Sequence, residues 1–552
     1  MRLSCFTNSG LGFINLLKRH KYHLILLLLI VFHSVNNYIW IKKDAESLGW
    51  DVCHHLDITV SAYHGLEDAI LSKKPLYQKT SQLWSLFTSG RLEWPRLVHF
   101  FAAAVALTSR DILFSFRFTN ILYFIILIIS IYLIGKKISS PGAGVFSALL
   151  VSFYPGLFQY SRKFGLDLPL AAFVCLSLYC LMATNKFSER RYSLLFGVIT
   201  GLATLIKGQV FIYISGPLLY TLFLCFREKR KAYPELIINI LVSLVSCLVI
   251  ALVWWRRLFS YELGLSMQKH MFNWNGMFLF EGVGDFFTNR LWGFITDTYL
   301  SVSPPLFWIF VLGLFSYLRA LNKKKIFILC WLLAPYLIFS SLLSYHNYRY
   351  TYAIFGAIAL ISAIGLLELR LRKSVRVFML ASILCLALLQ FFDISYFRVI
   401  KEFKIPTEWS HPPENNNHKV IAQEFEIELE KYPLLPKNIG LIEERDMKGD
   451  GCVRLRYILR ALNKQNFVIL SAEGNDPTEV KDVFLKSVEG MEFLIAFSHS
   501  PVGPDFAGLM DYALEAQEEK AAKTIELFRK FKILKSASLY PGGLYIFLLK
   551  RE

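Results

Sequence analysis

Apolar residues in this chain fall in long runs. The first, from His23 to Trp40, follows a basic patch (Arg2, Lys18, Arg19, Lys21) and no small-residue cleavage site follows it, so it reads as a retained signal anchor. Others lie at roughly 118–135, 142–160, 166–183, 193–206, 209–226, 236–254, 303–318, 326–343, 350–367 and 377–394. Together they predict about eleven membrane-spanning helices, the run at 193–206 being short for a full crossing. The stretch Trp94 to Leu107 is apolar but short and is flanked by Arg96 and Arg110, which predicts a helix lying in the membrane interface.

Charges between the runs orient them. Lys136/Lys137, Lys186/Arg190/Arg191, Arg227/Lys229/Arg230/Lys231, Arg319/Lys323/Lys324/Lys325 and Arg370/Arg372/Lys373/Arg376 occupy every second connection, on the side of the N-terminus. Basic residues in short loops favour the cytoplasm, so the N-terminus is expected inside and the C-terminus outside. Segments 42–117, 161–165, 256–302 and 344–349 then face outward. Polar loops on a rigid helical scaffold are where membrane enzymes build their sites.

After Ile394 the composition turns mixed and polar. Short strand-like runs (Ile439 to Ile442, Phe467 to Leu470, Phe493 to Phe497, and a hairpin around Tyr540-Pro541-Gly542-Gly543) alternate with amphipathic stretches at 418–432 and 506–531. The expected architecture is therefore an α-helical polytopic membrane domain over 1–400 and a soluble extracytoplasmic α/β domain over 401–552.

Composition agrees with the pattern. Of 552 residues, 55% are hydrophobic and 15% aromatic, with a mean hydropathy of +0.43, too apolar for a soluble globular chain. The formal charge of +18 reads as orientation signal and phosphate contact, and nucleic acid is not the expected partner. The cysteines are mostly singletons inside apolar runs, with no disulfide or zinc spacing.

Candidate chemistry gathers in the outer segments. Just after the first span, Asp51, His54, His55, Asp57 and His64 crowd together. A carboxylate at the membrane surface beside a phosphate-bearing lipid carrier can take the proton of an acceptor hydroxyl as that hydroxyl attacks a sugar's anomeric carbon. Such a reaction also needs cations for the departing phosphate, and Arg162, Lys163, Lys207, Arg256, Arg257 and Arg349 all stand at outer helix ends. The structural readings compete: Asp51 as a helix N-cap, Asp57 as a solvated surface residue, Asp167 as a helix-dipole partner, Lys207 as a snorkelling lysine, and Arg162/Lys163 and Arg256/Arg257 as lipid-headgroup contacts. His54 and His55 have no third ligand at metal spacing, so no metal site is assigned.

In order along the chain come Trp50-Asp51-Val52-Cys53-His54-His55-Leu56, Pro95-Arg96-Leu97, Arg117-Phe118, Lys136-Lys137, Pro155, Ser161-Arg162 through Asp167-Leu168-Pro169-Leu170, Gly201 to Gly208 (GLATLIKG), and His346-Asn347-Tyr348-Arg349-Tyr350. This series resembles the glycosyltransferase C superfamily, in particular its bacterial dolichyl-phosphate-mannose-protein mannosyltransferase-like and aminoarabinose transferase-like group. The resemblance spans most of residues 45–360. It implies a hexosyl- or pentosyltransferase of the bacterial inner membrane that moves a sugar from a polyprenyl-phosphate donor to a lipid, glycan or protein acceptor. In that likeness Asp51 matches the catalytic acidic residue and Asp167 the aspartate of the second outer loop. Lys207 and Arg349 match positions on the carrier-phosphate side, with His55, Arg162 and His346 as further substrate-binding candidates. Val52 stands where the group usually has Glu, leaving a paired-carboxylate or divalent-metal version of the mechanism without its second carboxylate. No cofactor is called for.

Two rival classes would share the span count: a transporter or lipid flippase, and a non-enzymatic assembly subunit. Transporters place charges near the midplane and show repeated halves. Here charges cluster at span ends and the pattern before residue 200 does not recur after it.

Overall fold

A computed structural model describes residues 4–44, 50–88, 95–109, 111–228, 233–256, 290–342, 347–397 and 399–400, and five strands between 438 and 551. The chain divides into two compact units. The first comprises Met1–Ile41, Pro75–Phe101 and Arg117–Pro412; the second comprises Lys42–Lys74, Ala102–Phe116 and Pro413–Glu552.

The described helices are, in order, α1 (Ser4–Lys43), α2 (Trp50–Leu71), α3 (Leu76–Thr88), α4 (Leu97–Ser109), α5 (Ile112–Ile138), α6 (Pro141–Ser152), α7 (Pro155–Tyr160), α8 (Asp167–Ala183), α9 (Arg190–Thr204), α10 (Val210–Glu228), α11 (Tyr233–Trp255), α12 (Trp292–Val302), α13 (Pro304–Arg319), α14 (Lys323–Leu342), α15 (Phe355–Glu368) and α16 (Lys373–Phe392). A 3-10 turn, Tyr348–Ile354, leads into α15. Helix is the expected answer to a long apolar run, because it satisfies every backbone group within the segment where lipid offers no partner.

Seven of these segments are long and apolar enough to cross a membrane, or eight if the bent pair α12–α13 counts as one. The remaining predicted runs are helical but shorter, for local reasons. The run 142–160 is two helices, because Pro155 has no N–H to donate and pushes Tyr154 into an extended conformation (φ −69°, ψ 122°). Likewise Ser303-Pro304-Pro305 bends α12 against α13 by 112°. Helix α8 has 17 residues, roughly 25 Å at ~1.5 Å per residue, short of a ~30 Å hydrocarbon core. The apolar stretch near Trp94 becomes α4, whose 13 residues are too few to span.

Small residues let the membrane helices of the first unit pack closely. A Cβ on Gly365 of α15 would lie 1.9 Å from the Gly313 carbonyl oxygen of α13, and one on Gly197 of α9 would lie 2.2 Å from the Ser243 carbonyl of α11. Ser243 Oγ then reaches the Ser193 carbonyl at 2.7 Å. Backbone approach of this kind replaces the hydrophobic drive that lipid cannot supply.

The second unit contains α2, with Val52, Leu56, Val60 and Ala62 buried, and a five-stranded sheet. Its strands are β1 (Asn438–Ile442), β2 (Asn466–Leu470), β3 (Phe493–Ser498), β4 (Phe531–Tyr540) and β5 (Leu544–Arg551), in the spatial order β2-β1-β3-β5-β4. The first three pair in parallel, which requires crossover connections, whereas β4 and β5 pair antiparallel as the expected hairpin does, with residues 541–543 outside the described ones. The predicted strands are all present. The amphipathic stretches 418–432 and 506–531 lie outside the described residues, except Phe531, which opens β4.

Candidate active site

Three separate stretches of the first unit converge on one carboxylate. Asp167 opens α8, where a negative charge meets the positive end of the helix dipole. Lys207 follows α9, its backbone N–H still bonded to the Ala203 carbonyl at 3.0 Å, so that its cation stands near a helix C-terminus. Arg349 lies in the 3-10 turn before α15, and Asn347 caps that turn by accepting the Arg349 N–H at 3.0 Å. Each charged group is thus placed by the end of a helix, the part of a membrane bundle where backbone polarity is available.

Lys207 Nζ sits 2.6 Å from Asp167 Oδ1, and Tyr160, the last residue of α7, donates its hydroxyl to Asp167 Oδ2 at 3.1 Å. The Arg349 guanidinium stands close enough to Tyr160 and to the carboxylate to act electrostatically on both. Both carboxylate oxygens are therefore engaged. Asp167 is 5% exposed against 22% for the Lys207 side chain, so the acid is the buried counter-ion and the ammonium the more accessible member. At such burial the attraction is weakly screened by salt.

Aromatic rings wall the cluster. Tyr160 meets Tyr352 edge-on with centroids 5.3 Å apart, Lys207 Nζ lies 5.9 Å from the centre of the Tyr350 ring, and Tyr350 stacks on Phe339 at 5.4 Å. Tyr213 donates to the Tyr350 carbonyl at 2.9 Å and ties α10 to the 3-10 turn. Two cations and a phenol placed around one buried acid form a preorganised site of net positive charge. Its chemistry suits the oxygens of a phosphate group.

The other sequence candidates have different settings. Arg162 is 1% exposed, with Nε donating to Asn37 Oδ1 at 2.9 Å and its guanidinium 5.4, 5.2 and 5.1 Å from the rings of Trp40, Phe158 and Phe391. Expected at an open outer helix end, it is instead a core side chain, and so is Lys163 at 6% exposure, so neither is open to a lipid headgroup. Arg256 lies over the Trp84 ring at 5.0 Å.

In the second unit Asp51 lies in α2, with His55 one helical turn after it. The Asp51 side chain is outside the described residues, as are those of His54 and Asp57; His346 and Arg257 lie outside them entirely. His55 is buried at 7% exposure and its carbonyl accepts the Thr59 hydroxyl at 2.9 Å. Val52, in the place of the usual Glu, is 2% exposed. Among the described residues no three His, Cys, Asp or Glu side chains gather in a way that could hold a metal ion.

Tyr160 was not among the sequence candidates. Its only signal was its position immediately before Ser161-Arg162, seven residues ahead of Asp167.

Residues 94–255 match the family described as dolichyl-phosphate-mannose-protein mannosyltransferase. No curated protein sequence matches the chain. The fold is similar to that of ArnT from Cupriavidus metallidurans bound to undecaprenyl phosphate, with a TM-score of 0.60, 13% identity, and coverage of 95% of this chain and 97% of that one. The apo form of ArnT gives 0.59 at the same identity and coverage. The archaeal oligosaccharyltransferase AglB from Archaeoglobus fulgidus, in complex with an inhibitory peptide and a dolichol-phosphate, gives 0.50 at 13% identity, covering 96% of this chain and 74% of that one. The chain is thus similar to the mannosyltransferase family over the segment that holds Tyr160, Asp167 and Lys207, and along nearly its whole length it shares the fold of ArnT.

Proposed function

We propose that this protein transfers a hexose or pentose from a polyprenyl-phosphate donor to a lipid, glycan or protein acceptor on the outer face of a bacterial inner membrane. The observation that carries the reading is the Asp167–Lys207–Tyr160–Arg349 cluster, a phosphate-fitting site drawn from three distant stretches of chain. ArnT, whose fold this chain resembles, has been solved with undecaprenyl phosphate.

In this mechanism Lys207 and Arg349 hold the carrier phosphate, and Asp167 with Tyr160 keeps the two cations in place. Asp51 takes the proton of the acceptor hydroxyl, whose oxygen attacks the anomeric carbon as the bond from that carbon to the phosphate oxygen breaks. Polyprenyl phosphate leaves with the electron pair. One displacement from the face opposite the leaving group inverts the anomeric configuration. His55, one turn along α2, and His346 complete the substrate-binding set; Arg162, the further candidate of the sequence, is buried against Asn37. No cofactor enters, and a divalent metal would have to do without a carboxylate at position 52. The purified protein in nanodiscs, given labelled undecaprenyl-phosphate hexoses and pentoses with an extract of envelope acceptors, is expected to release undecaprenyl phosphate and label one acceptor class. A folded protein that consumes none of these donors sinks the reading.

The arrangement we infer has eleven spans, with α6–α7, α8 and α9 adding to the longer helices, the N-terminus in the cytoplasm and an α/β domain over 401–552 outside. A phosphatase reporter fused after Glu552 is expected to be active outside the membrane. A cytoplasmic signal overturns the eleven-span arrangement and the outer-face site with it.

A further inference from the structure

Two carboxamides stand inside apolar helices of the first unit, Asn37 in α1 and Asn120 in α5, both fully buried. Buried polar groups in such helices are costly unless they have partners. Both are spent on one short piece of chain, the turn from Tyr160 to Asp167 that joins α7 to α8.

Asn120 Nδ2 is surrounded by the carbonyls of Lys163 at 2.6 Å, Tyr160 at 3.3 Å and Gly165 at 3.4 Å. Three acceptors around one atom identify that atom as the nitrogen. The turn has left the helical ladder, so its carbonyls would otherwise lie buried without donors. Asn37 holds the other flank: its Nδ2 donates to Ser161 Oγ at 2.7 Å and its Oδ1 accepts Arg162 Nε at 2.9 Å. One turn earlier on the same face of α1, His33 pairs with Ser152 Oγ at 3.0 Å at the end of α6. One turn later the Trp40 ring supports Arg162 at 5.4 Å.

The turn in its turn sets Tyr160. A Cβ on Gly165 would fall 2.5 Å from the Tyr160 ring and 2.6 Å from its hydroxyl oxygen, so the backbone at 165 lies directly on the phenol that bonds Asp167. Shape is thereby passed from two amides to a backbone turn, to a phenol, and to the carboxylate that holds Lys207.

We infer that Asn37 and Asn120 are positioning residues for the phosphate site, bracketing the Tyr160–Asp167 turn so that Lys207 and Arg349 meet an anion in fixed geometry. The inference assigns Arg162 to the bracket instead of to the substrate, and it rests on the proposed reading of the cluster as a carrier-phosphate site.

The test is undecaprenyl phosphate binding to the full-length protein in nanodiscs, read together with thermal stability. Asn37→Leu and Asn120→Leu are each expected to weaken binding by about tenfold while the protein stays helical and folded. Asn37→Asp, which keeps the acceptor for Arg162, is expected to bind within about threefold of wild type. Asn120→Ser, a milder change with one donor in place of two, is expected to lose about three- to tenfold and stands in should the leucine variant not fold. In a Lys207→Gln background the leucine effects should shrink to less than about threefold, because residues acting through one site are not additive. Wild-type binding with unaffected amide variants, or losses that multiply with Lys207→Gln, overturns the positioning role and leaves the phosphate site standing. A folded wild type that binds no undecaprenyl phosphate overturns the phosphate reading and this inference together.

Discussion

Asp51→Asn is expected to abolish sugar transfer while the protein remains folded and still binds undecaprenyl phosphate. The amide keeps the size of the carboxylate and caps a helix about as well, so a purely structural Asp51 would make the change nearly silent. It cannot accept a proton at neutral pH, so a general base at this position would lose on the order of 10² to 10⁴ in rate. Asp57→Asn is the internal control. Six residues on, it lies on another face of α2 and should retain most activity. Turnover by Asp51→Asn close to that of wild type, or a product with the donor's anomeric configuration retained, would each defeat the mechanism.

The second large effect belongs to Lys207. Lys207→Met removes the cation 2.6 Å from Asp167 and leaves a carboxylate that is 5% exposed without its main partner. Loss of one preorganised charge from a transition-state site costs about 10² to 10³ in kcat. Stranding the buried acid adds a stability loss of about 3–5 kcal/mol, visible as a lower melting temperature. These effects can be separated. The double variant Lys207→Met/Asp167→Asn removes both charges and should recover most of the lost stability, since a neutral pair no longer suffers from an uncompensated charge. Activity should stay lost, because the phosphate still lacks its ammonium. Recovery of turnover along with stability would make the pair structural only.

Neither prediction needed the whole fold to be legible in advance, and parts of it were. Long apolar runs specify helix whatever the tertiary structure, because only intrasegment hydrogen bonds satisfy a backbone surrounded by hydrocarbon. Each predicted run is accordingly helical, the strands on either side of Pro541-Gly542-Gly543 pair antiparallel, and apolar runs of strand length became the parallel strands β1, β2 and β3. Charges at the ends of apolar runs put Lys207 and Arg349 among six candidate cations, and the resemblance to the glycosyltransferase C group is what singled out Asp167 beside them.

What the tertiary structure decided was which of these meet. Proline breaks at 155 and 304 divided runs that hydropathy had left whole or taken alone, because a missing N–H weighs nothing in a hydropathy average yet ends a helix. Arg162 came to lie among the rings of Trp40, Phe158 and Phe391 while Asp167, five residues on, reached Lys207, a difference that neither residue's type sets. Tyr160, Asn37 and Asn120 carried no pattern of their own. Their partners lie 7 to 125 residues away, so distances in space, which no local spacing encodes, gave them their roles.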